Sequence, residues 1–312
     1  MRALIPSLVC LAVSACAHAP ASTPEPSAAA SSQAAPSVEA TDLPHMEPPA
    51  SPMPGWQQVR KANDMLRSGT QRAEALALYE EALAAGNESP YAAYSAACAA
   101  ALLGQKADAL RLLSKAVDWG YRDVAWMKQD TDLVSLREDP AFLALVERMP
   151  TLPERYPRAH AELKRLFEED QADRQGPLDG PDAWKKVAER DAQRRQRVKA
   201  LMAEGALKEG ADFLAAGFIF QHGNTQADYA MARQMGAEAA KRGHPMGLWL
   251  TAAAWDRWLM NANRPQRFGT QYQFDKEAKK MTLHPVDPSV TDEERARWGF
   301  PPLAEIPKVL EQ

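Results

Sequence analysis

Runs in which Val, Ile, Thr and aromatic residues alternate with polar residues are almost absent from this chain of 312 residues, so little of it would form half-buried strands. From Trp56 onward the sequence is instead dominated by Ala, Leu, Glu, Lys, Arg and Gln, which are strong helix formers. With 46% apolar residues, the chain has enough hydrophobic side chains for a core. It is therefore predicted to be all-α: helical-hairpin repeats come first, and a mainly α C-terminal domain with at most one short β-hairpin follows.

Cysteine and excess positive charge are also scarce. Of the three cysteines, Cys10 and Cys16 lie near the N-terminus, which leaves Cys98 without a partner for an intramolecular disulfide in the body. Cys98 stands in an Ala-rich helical stretch and is predicted to be a small buried residue. The net charge of −4 and the pI near 5.9 differ from the basic character of nucleic-acid-binding domains, so no nucleic-acid partner is predicted.

The sequence motifs of several enzyme classes are missing. The chain has no Gly-x-Ser-x-Gly nucleophile, no His-Glu-x-x-His zinc site and no glycine-rich phosphate loop. Its six histidines do not have the spacing of metal ligands, so neither a metal site nor a cofactor is predicted. These absences favour a non-enzymatic function without deciding the question.

The N-terminal residues predict export. Residues 1–15 contain one basic residue, Arg2, and an apolar run too short for a permanent membrane span, which is typical of a signal peptide. The run ends in Val13-Ser14-Ala15-Cys16, which resembles the lipobox of bacterial lipoproteins. The resemblance implies lipidation of Cys16, a membrane anchor and, because Ala17 follows, an outer-membrane location facing the periplasm. The alternative is ordinary signal-peptide cleavage after Ala17.

Residues 16–55 are rich in Ala, Pro, Ser and Thr and contain few bulky apolar side chains. Such a composition cannot form a core, and its prolines favour extended backbone. The segment is predicted to be a disordered tether that holds the body of the protein away from the membrane.

Residues 56–149 contain an internal repeat. The sequence EALALYEEALAAG of residues 74–86 aligns with DALRLLSKAVDWG of residues 108–120 at an offset of 34 residues. Paired helices with this period are typical of tetratricopeptide repeats. The repeat is predicted to be either a plain helical scaffold or a groove that binds a protein or peptide partner.

Residues 119–149 resemble a tail that often follows tetratricopeptide units. An Asp-x-x-Leu-x-x-Leu run precedes a helix that Asp139 would cap, with Pro140 at its first position. The tail is predicted to close the end of the repeat.

A second, helical domain is predicted for residues 155–312, after the three prolines of residues 150–157. Short polar motifs in it resemble an uncharacterised bacterial domain family with the pattern DQxxR, QH, DR, PQxYGTQ and RxxxGLxPL. The resemblance implies an α-rich domain and brings no established activity; Phe268 replaces the tyrosine of the fourth motif. The predicted ligand-binding residues are the polar and glycine positions of these motifs: Asp170, Gln171, Arg174, Gln221, Arg257, Gln266, Arg267, Gly269, Thr270 and Gln271.

Within this domain, residues 185–199 contain seven basic residues against Glu189 and Asp191. A run of this kind is usually a solvated helix face, which is the interpretation favoured here. The alternative is a contact with anionic lipid or an acidic partner.

His222 and Asp256 are the candidate catalytic pair. In a stacked array of helices, the helix with His222 and the helix with Asp256 would lie side by side, with both residues at about the same level. A carboxylate that holds a histidine ring fixes its tautomer and raises its basicity. Asp212 lies on the same helix as His222 but about 15 Å away along its axis, too far to orient the ring. The alternatives are a contact that only satisfies two buried polar groups, or an ion pair between Asp256 and Arg257.

Two functions follow from these predictions. The first is an envelope lipoprotein that binds a protein or ligand partner through its repeats and a polar pocket in the C-terminal domain. The alternative is a hydrolase or transferase that uses the His222/Asp256 pair, with Arg174, Arg257 or Arg267 holding an anionic substrate. The loop of residues 266–271 has good hydrogen-bonding groups but poor nucleophiles, which suits binding better than bond cleavage; it is predicted to lead into a strand paired with residues 280–284.

Overall fold

The computed structural model describes residues 43–156, 160–175, 180–275, 280–307 and 309–310. The predicted signal peptide, Cys16 and most of the predicted tether lie outside these residues. The chain divides into two compact units. The first holds Ser51–Ala159 and Asp292–Pro302; the second holds His160–Thr291, Leu303–Gln312 and, before the first unit, residues 43–50.

Four helices of equal length begin the first unit. Consecutive helices pack against one another, and the start of each helix in the first pair recurs 34 residues later in the second pair. The sequence repeat is therefore a repeat of helical hairpins. The helices are α1 (Trp56–Ser68), α2 (Arg72–Ala84), α3 (Pro90–Leu102) and α4 (Lys106–Asp118).

Small residues allow α3 to lie at the centre of this unit. All of its alanines, together with Cys98, are buried, so neighbouring helices approach its backbone closely. The predicted burial of Cys98 is confirmed. Gly86 and Gly120 follow α2 and α4 with φ of 95° and 111°, a left-handed backbone that ends a helix and that glycine adopts at little cost. Equivalent positions of the two hairpins thus stop their helices in the same way.

The tail of the first unit forms α5 (Val124–Gln129), a 3₁₀ turn (Thr131–Leu136), α6 (Pro140–Arg148) and a second 3₁₀ turn (Met149–Thr151). Asp139 Oδ1 accepts a hydrogen bond of 2.9 Å from the Ala141 amide, and Pro140 is the first residue of α6, so the predicted cap is confirmed. Leu133, Leu136 and Phe142 are buried in the same core as α3. The tail therefore packs on the helical hairpins, as predicted.

Asp130 joins the tail to α3. Its buried carboxylate accepts hydrogen bonds from the Tyr94 hydroxyl at 2.8 Å, the Trp126 indole at 3.1 Å and the Cys98 thiol at 3.6 Å. The Asp132 amide donates to its second oxygen at 3.0 Å. A single buried acceptor thus satisfies donors from two parts of the chain, which otherwise would be buried without a partner.

We expect Asp130→Ala to lower the free energy of unfolding by roughly 1–3 kcal/mol, because it leaves these donors buried and unpaired. Asp108→Ala is the matched control, since Asp108 makes an exposed ion pair with Arg111 at 3.0 Å. Exposed pairs contribute at most about 1 kcal/mol. Urea unfolding of the two variants compares them directly, and equal losses would contradict the role assigned to Asp130.

The described residues of the second unit form five α-helices. The glycines at the contact of α10 and α11 permit a close approach: a Cβ on Gly236 would lie 2.7 Å from the Thr251 amide, and one on Gly247 would lie 2.2 Å from the Ala240 amide. The helices are α7 (Ala161–Ala172), α8 (Pro181–Ala203), α9 (Gly210–Gln221), α10 (Gln226–Lys241) and α11 (Gly247–Asn261).

Asp212 holds the start of α9. The amides of Lys208 and Glu209 donate to its carboxylate at 3.1 and 3.0 Å, and with the Glu209 side chain they complete a capping box. The His160 amide, just before α7, donates to the other oxygen at 3.3 Å. Asp212 is therefore a buried structural residue, which agrees with its exclusion as the partner of His222.

A small antiparallel sheet follows α11. Strand β1 (Tyr272–Asp275) pairs with β2 (Lys280–Leu283), with Tyr272 opposite Leu283, and the predicted hairpin is confirmed. A two-residue strand, β3 (Val309–Leu310), adds to the other edge of β2. Helix α12 (Asp292–Arg297) follows in the sequence and belongs to the first unit. A further 3₁₀ turn at Leu303–Glu305 belongs to the second unit. The fold class, all-α with one small β element, is as predicted.

The domain boundaries differ from the prediction in two places. Residues 43–50, predicted as tether, belong to the second unit, where the carbonyl of Pro44 accepts a hydrogen bond of 2.8 Å from Arg233. Asp292–Pro302, predicted in the C-terminal domain, groups with the first unit. In the described part of the chain, no helix combines the length and the apolar character that a bilayer crossing requires.

Candidate functional site

His222, which directly follows the last residue of α9, is held by Asp170 of α7. The ring Nδ1 lies 2.9 and 3.0 Å from the two carboxylate oxygens. The side chains are 4% and 0% exposed. An ionised carboxylate only accepts hydrogen bonds, so Nδ1 carries the proton and Nε2 is the acceptor nitrogen of the neutral ring.

The predicted pairing of His222 with Asp256 is wrong. Asp256 accepts hydrogen bonds from the amides of Arg267 at 2.7 Å, Phe268 at 3.1 Å and Thr270 at 3.2 Å, and from the Thr270 hydroxyl at 2.8 Å. Its acceptor capacity is used by the loop that follows α11. The prediction considered only α9 and α11, whereas α7 also packs on α9 and brings the carboxylate that reaches the ring.

The DQxxR motif supports this histidine. Gln171 donates to Asp170 Oδ2 at 2.8 Å, and Arg174 donates to Asp170 Oδ1 at 3.1 Å and to its carbonyl at 2.7 Å. Asp170, Gln171 and Arg174 were predicted to bind a ligand. The structure instead uses their polar groups on one another and on His222, so they position the ring.

A chain of ion pairs continues from Arg174 into α8. Arg174 binds Asp191 at 2.6 Å, Asp191 binds Arg194 at 2.7 Å, and Arg194 also binds Asp173. Positive and negative groups alternate along this buried network, which is the arrangement that makes buried charges tolerable. Arg194 is therefore buried in this network, whereas Lys185, Lys186, Arg190 and Lys199 of the same run are exposed. The favoured interpretation of residues 185–199 as a solvated face agrees with most of the run and fails at Arg194. The feature of the sequence that indicated this buried network was Asp191, an acidic residue within a run of basic residues.

The electrostatics keep His222 neutral. Burial lowers the pKa of the His222 ring, as do the positive charges of Arg174 and Arg257, and Asp170 opposes them only in part. Burial alone would raise the pKa of Asp170, but His222, Arg174 and the Gln171 amide outweigh it and hold that pKa below its usual value. At neutral pH the pair is therefore a carboxylate beside a neutral imidazole. The carboxylate orients the ring, which leaves Nε2 as a hydrogen-bond acceptor or a base.

Arg257 and Gln221 leave polar atoms without partners next to this histidine. Arg257 donates through Nε to Gln271 at 2.9 Å and through Nη1 to the Gln221 carbonyl at 2.6 Å. Among the described residues, no group bonds to the buried Nη2 of Arg257 or to either amide atom of Gln221, although Gln221 is 1% exposed. Such buried polar groups are rare in native proteins, and ordered water or a bound group usually completes their hydrogen bonds.

The other predicted ligand-binding residues build the 266–271 loop. The Gln266 amide donates to the carbonyls of Gln271 at 2.9 Å and His284 at 2.8 Å, and it accepts from the Gln271 amide at 2.9 Å. Gln271 also donates to the Thr270 hydroxyl at 2.9 Å. Gly269 has φ of 77°, and a Cβ there would lie 2.6 Å from Ile306. These residues therefore hold the loop and do not present free groups to a ligand.

Asp256 is central to that loop. Burial raises the pKa of Asp256 to about 6, although the four donors of the loop favour its ionised form. Phe268 is fully buried and packs against Trp255, with 6.0 Å between ring centroids, so an apolar ring suits the position where the resembled pattern has tyrosine. The guanidinium of Arg267 lies over the Trp255 ring at 4.9 Å.

One group of acidic and thiol side chains has a metal-like spacing. Ligand atoms of Cys98, Asp130 and Asp132, in the first unit, lie within 4.8 Å of one another. The Asp130 oxygen in this group already accepts from Tyr94, Trp126 and Cys98. Burial, followed by the charge of Asp130, raises the pKa of the Cys98 thiol, which opposes formation of the thiolate that a metal would bind. The cluster fits a hydrogen-bonded core better than a metal site.

Comparisons of this chain with models of protein families, with curated proteins and with solved structures give no match. The resemblances of the repeats and of the DQxxR-containing domain therefore stay predictions from the residues themselves.

We expect His222 to titrate below its ordinary pKa of about 6.5. Since the folded pKa is lowered, its contribution to stability is constant above about pH 6.5 and is lost as the pH falls from there through the folded pKa. Asp170→Asn removes the one charge that favours the imidazolium and should lower the His222 pKa further. NMR titration of the ring C–H signals measures both values.

Asp256→Asn is the control for this titration, because Asp256 is buried and acidic but bonds to the loop. It should move the His222 pKa much less than Asp170→Asn does. A larger shift in the Asp256 variant would contradict the assignment of Asp170 as the partner.

Proposed function

We propose that this protein is an envelope lipoprotein, anchored through Cys16 in the outer membrane and facing the periplasm, that binds a polar ligand in its second unit and a protein or peptide partner through its first. The apolar run before Val13-Ser14-Ala15-Cys16 supports the anchor. The paired helices that recur after 34 residues support the partner-binding role, because such repeats commonly present extended binding surfaces.

The observation that carries ligand binding is the set of unpartnered polar atoms at the end of α9. Gln221 Nε2 and Arg257 Nη2 are buried donors and Gln221 Oε1 is a buried acceptor. His222 Nε2 adds an acceptor when the ring carries its proton on Nδ1, which faces Asp170. Each buried group left without a hydrogen bond costs about 1–3 kcal/mol. A ligand group that both accepts and donates, such as an amide or hydroxyl group, would complete them, and a carboxylate would complete the two donors.

The first unit offers surfaces for a larger partner. A pocket of about 330 Å³ at the end of the second hairpin is lined by charged and apolar side chains that include Trp119, Arg122 and Arg155. Tyr91, Val134 and Leu143 are large apolar side chains that are exposed in the described structure. Aromatic and arginine side chains are the groups that dominate protein–protein interfaces, which supports a peptide or protein partner.

A second candidate function is a hydrolase or transferase in which His222 is the general base. The 2.9 Å contact with Asp170 favours it, because that contact fixes the tautomer with Nε2 available to accept a proton. Asp170 replaces Asp256 as the orienting carboxylate in this proposal. Two cations bind the backbone beside the ring: Arg257 donates to the Gln221 carbonyl at 2.6 Å, and Arg195 donates to the His222 carbonyl at 3.3 Å. The near-complete burial of the ring requires that α9 or its surroundings open to admit a substrate.

We expect Gln221→Met to raise the free energy of unfolding by about 1 kcal/mol, because it replaces an unpartnered buried amide with an apolar side chain of similar shape. Gln266→Met is the matched control: Gln266 is equally buried, but its amide makes three hydrogen bonds. That variant should lose roughly 1–3 kcal/mol. Urea unfolding without added ligand measures both changes.

Ligand binding is tested by thermal unfolding of the wild type and the Gln221→Met variant with acetate or acetamide as probes. A stabilisation that the wild type shows and the variant lacks is expected, since only a ligand of the folded state raises its melting temperature. If Gln221→Met destabilises as much as Gln266→Met, and neither probe acts on the wild type, Gln221 is a structural residue and the proposal fails.

A further inference from the structure

Arg233 of α10 and Trp255 of α11 form one surface of the second unit. The two residues are 2% and 5% exposed, and the guanidinium of Arg233 lies over the Trp255 ring at 4.1 Å. A cation is attracted to the face of a tryptophan ring, and the attraction is stronger where water is excluded. The contact therefore holds the two side chains in a fixed orientation relative to each other.

Residues 43–50 cover this surface. Residues 43–48 form neither helix nor strand, and residues 44, 48 and 49 are prolines. The Pro44 carbonyl accepts a hydrogen bond of 2.8 Å from Arg233 Nη2, and the His45 ring packs edge-on against Trp255, with 6.1 Å between centroids. Among the described residues, Arg233 makes no other hydrogen bond, and its buried Nε has no partner. Release of residues 43–50 would thus take away the one acceptor that this guanidinium has.

These contacts are of the kind with which proteins bind extended peptides. Proline-containing peptides dock on surfaces lined by aromatic side chains, because their backbone is already extended and loses little entropy on binding. Here a backbone carbonyl meets Arg233 and a single side-chain ring meets Trp255. Neither contact requires that the peptide belong to the same chain, so a separate peptide with these groups would make both.

The segment is more exposed than the surface that it covers. Pro44, His45 and Glu47 are all exposed, and the His45 side chain is 66% exposed although its ring contacts Trp255. The two residues of the surface are buried, so the surface needs a cover. A short, exposed and extended cover over a buried cation and a buried indole favours exchange of one peptide for another.

We propose that Arg233 and Trp255 are the centre of a binding site for an extended proline-containing peptide, that residues 43–50 occupy this site in the same chain, and that a segment of the same kind from a partner protein replaces them. The partner's segment supplies a carbonyl to Arg233 and, after a proline, a ring to Trp255. This site differs from the surfaces of the first unit and from the unpartnered atoms at Gln221, so its test does not depend on ligand binding there.

The test is whether the segment binds when it is supplied as a separate peptide. The probe is a fluorescein-labelled peptide with the sequence of residues 43–50, LPHMEPPA, and the protein is the full chain with residues 43–50 replaced by alternating Gly and Ser. Fluorescence anisotropy should show saturable binding to this variant. The wild type should bind the peptide at least about tenfold more weakly, since a covalently linked segment has an effective concentration on the order of millimolar.

Two further changes locate the binding. Arg233→Met, introduced into the replaced chain, should weaken binding by at least about tenfold, the loss of a hydrogen bond to a charged group. Alanine in place of histidine in the peptide should also weaken binding, and this change cannot affect folding of the protein. If the replaced chain does not fold, the full chain with His45→Ala takes its place and should bind the peptide more tightly than the wild type does.

Arg242→Met is the matched control. Arg242 lies over the Phe213 ring at the same 4.1 Å, but it is paired with Glu238. It should leave the affinity for the peptide unchanged. The proposal is overturned if the peptide binds neither the replaced chain nor the His45→Ala chain, if it binds them no more tightly than the wild type, or if the Arg233 and Arg242 variants have equal affinity.

Discussion

The second unit depends on carboxylates that are completely buried and fully hydrogen-bonded. Asp170, Asp212 and Asp256 are all inaccessible to solvent, and each accepts bonds from parts of the chain that are distant in sequence. A buried charge is costly unless donors surround it, so each carboxylate forces its donors into one arrangement. Asp212 fixes the start of α9 and Asp256 fixes the loop after α11. Asp170 fixes the ring at the end of α9.

The buried polar atoms that make no hydrogen bond are also informative. Most of the motif residues of this unit make their hydrogen bonds to one another, as in the Gln266–Gln271 loop and the Asp170–Arg174 pair. Against that background, the few buried atoms without partners are exceptions that a folded protein normally avoids. Among the described residues of this unit, such atoms include those of Gln221 and Arg257 beside His222, Nε2 of Gln226, and Nε of Arg233 beside Trp255. A bound group or water molecule that completed these hydrogen bonds would stabilise the folded state.

Much of the fold could be predicted because it depends on residues that are close to one another in the sequence. The 34-residue offset, the cap at Asp139 and the hairpin of residues 272–283 follow from neighbouring residues, and the structure has all three. The partner of His222 could not be predicted in this way, since Asp170 is 52 residues distant and reaches the ring only because α7 packs on α9. Likewise, composition indicated a solvated face for α8, and most of its basic residues are exposed, but Asp191 and Asp173 hold Arg194 in a buried network that composition does not show. Helix positions follow from short-range patterns, and side-chain pairing follows from the packing of whole helices.

The tautomer of His222 tests the central claim most directly. Long-range ¹H–¹⁵N NMR correlations at neutral pH distinguish the protonated from the unprotonated ring nitrogen. With Asp170 as its partner, the ring must carry its proton on Nδ1 and have a bare Nε2, ready to accept a bond from a ligand. A proton on Nε2, or a doubly protonated ring at this pH, would contradict the account, because Asp170 would then not be the group that orients a neutral His222.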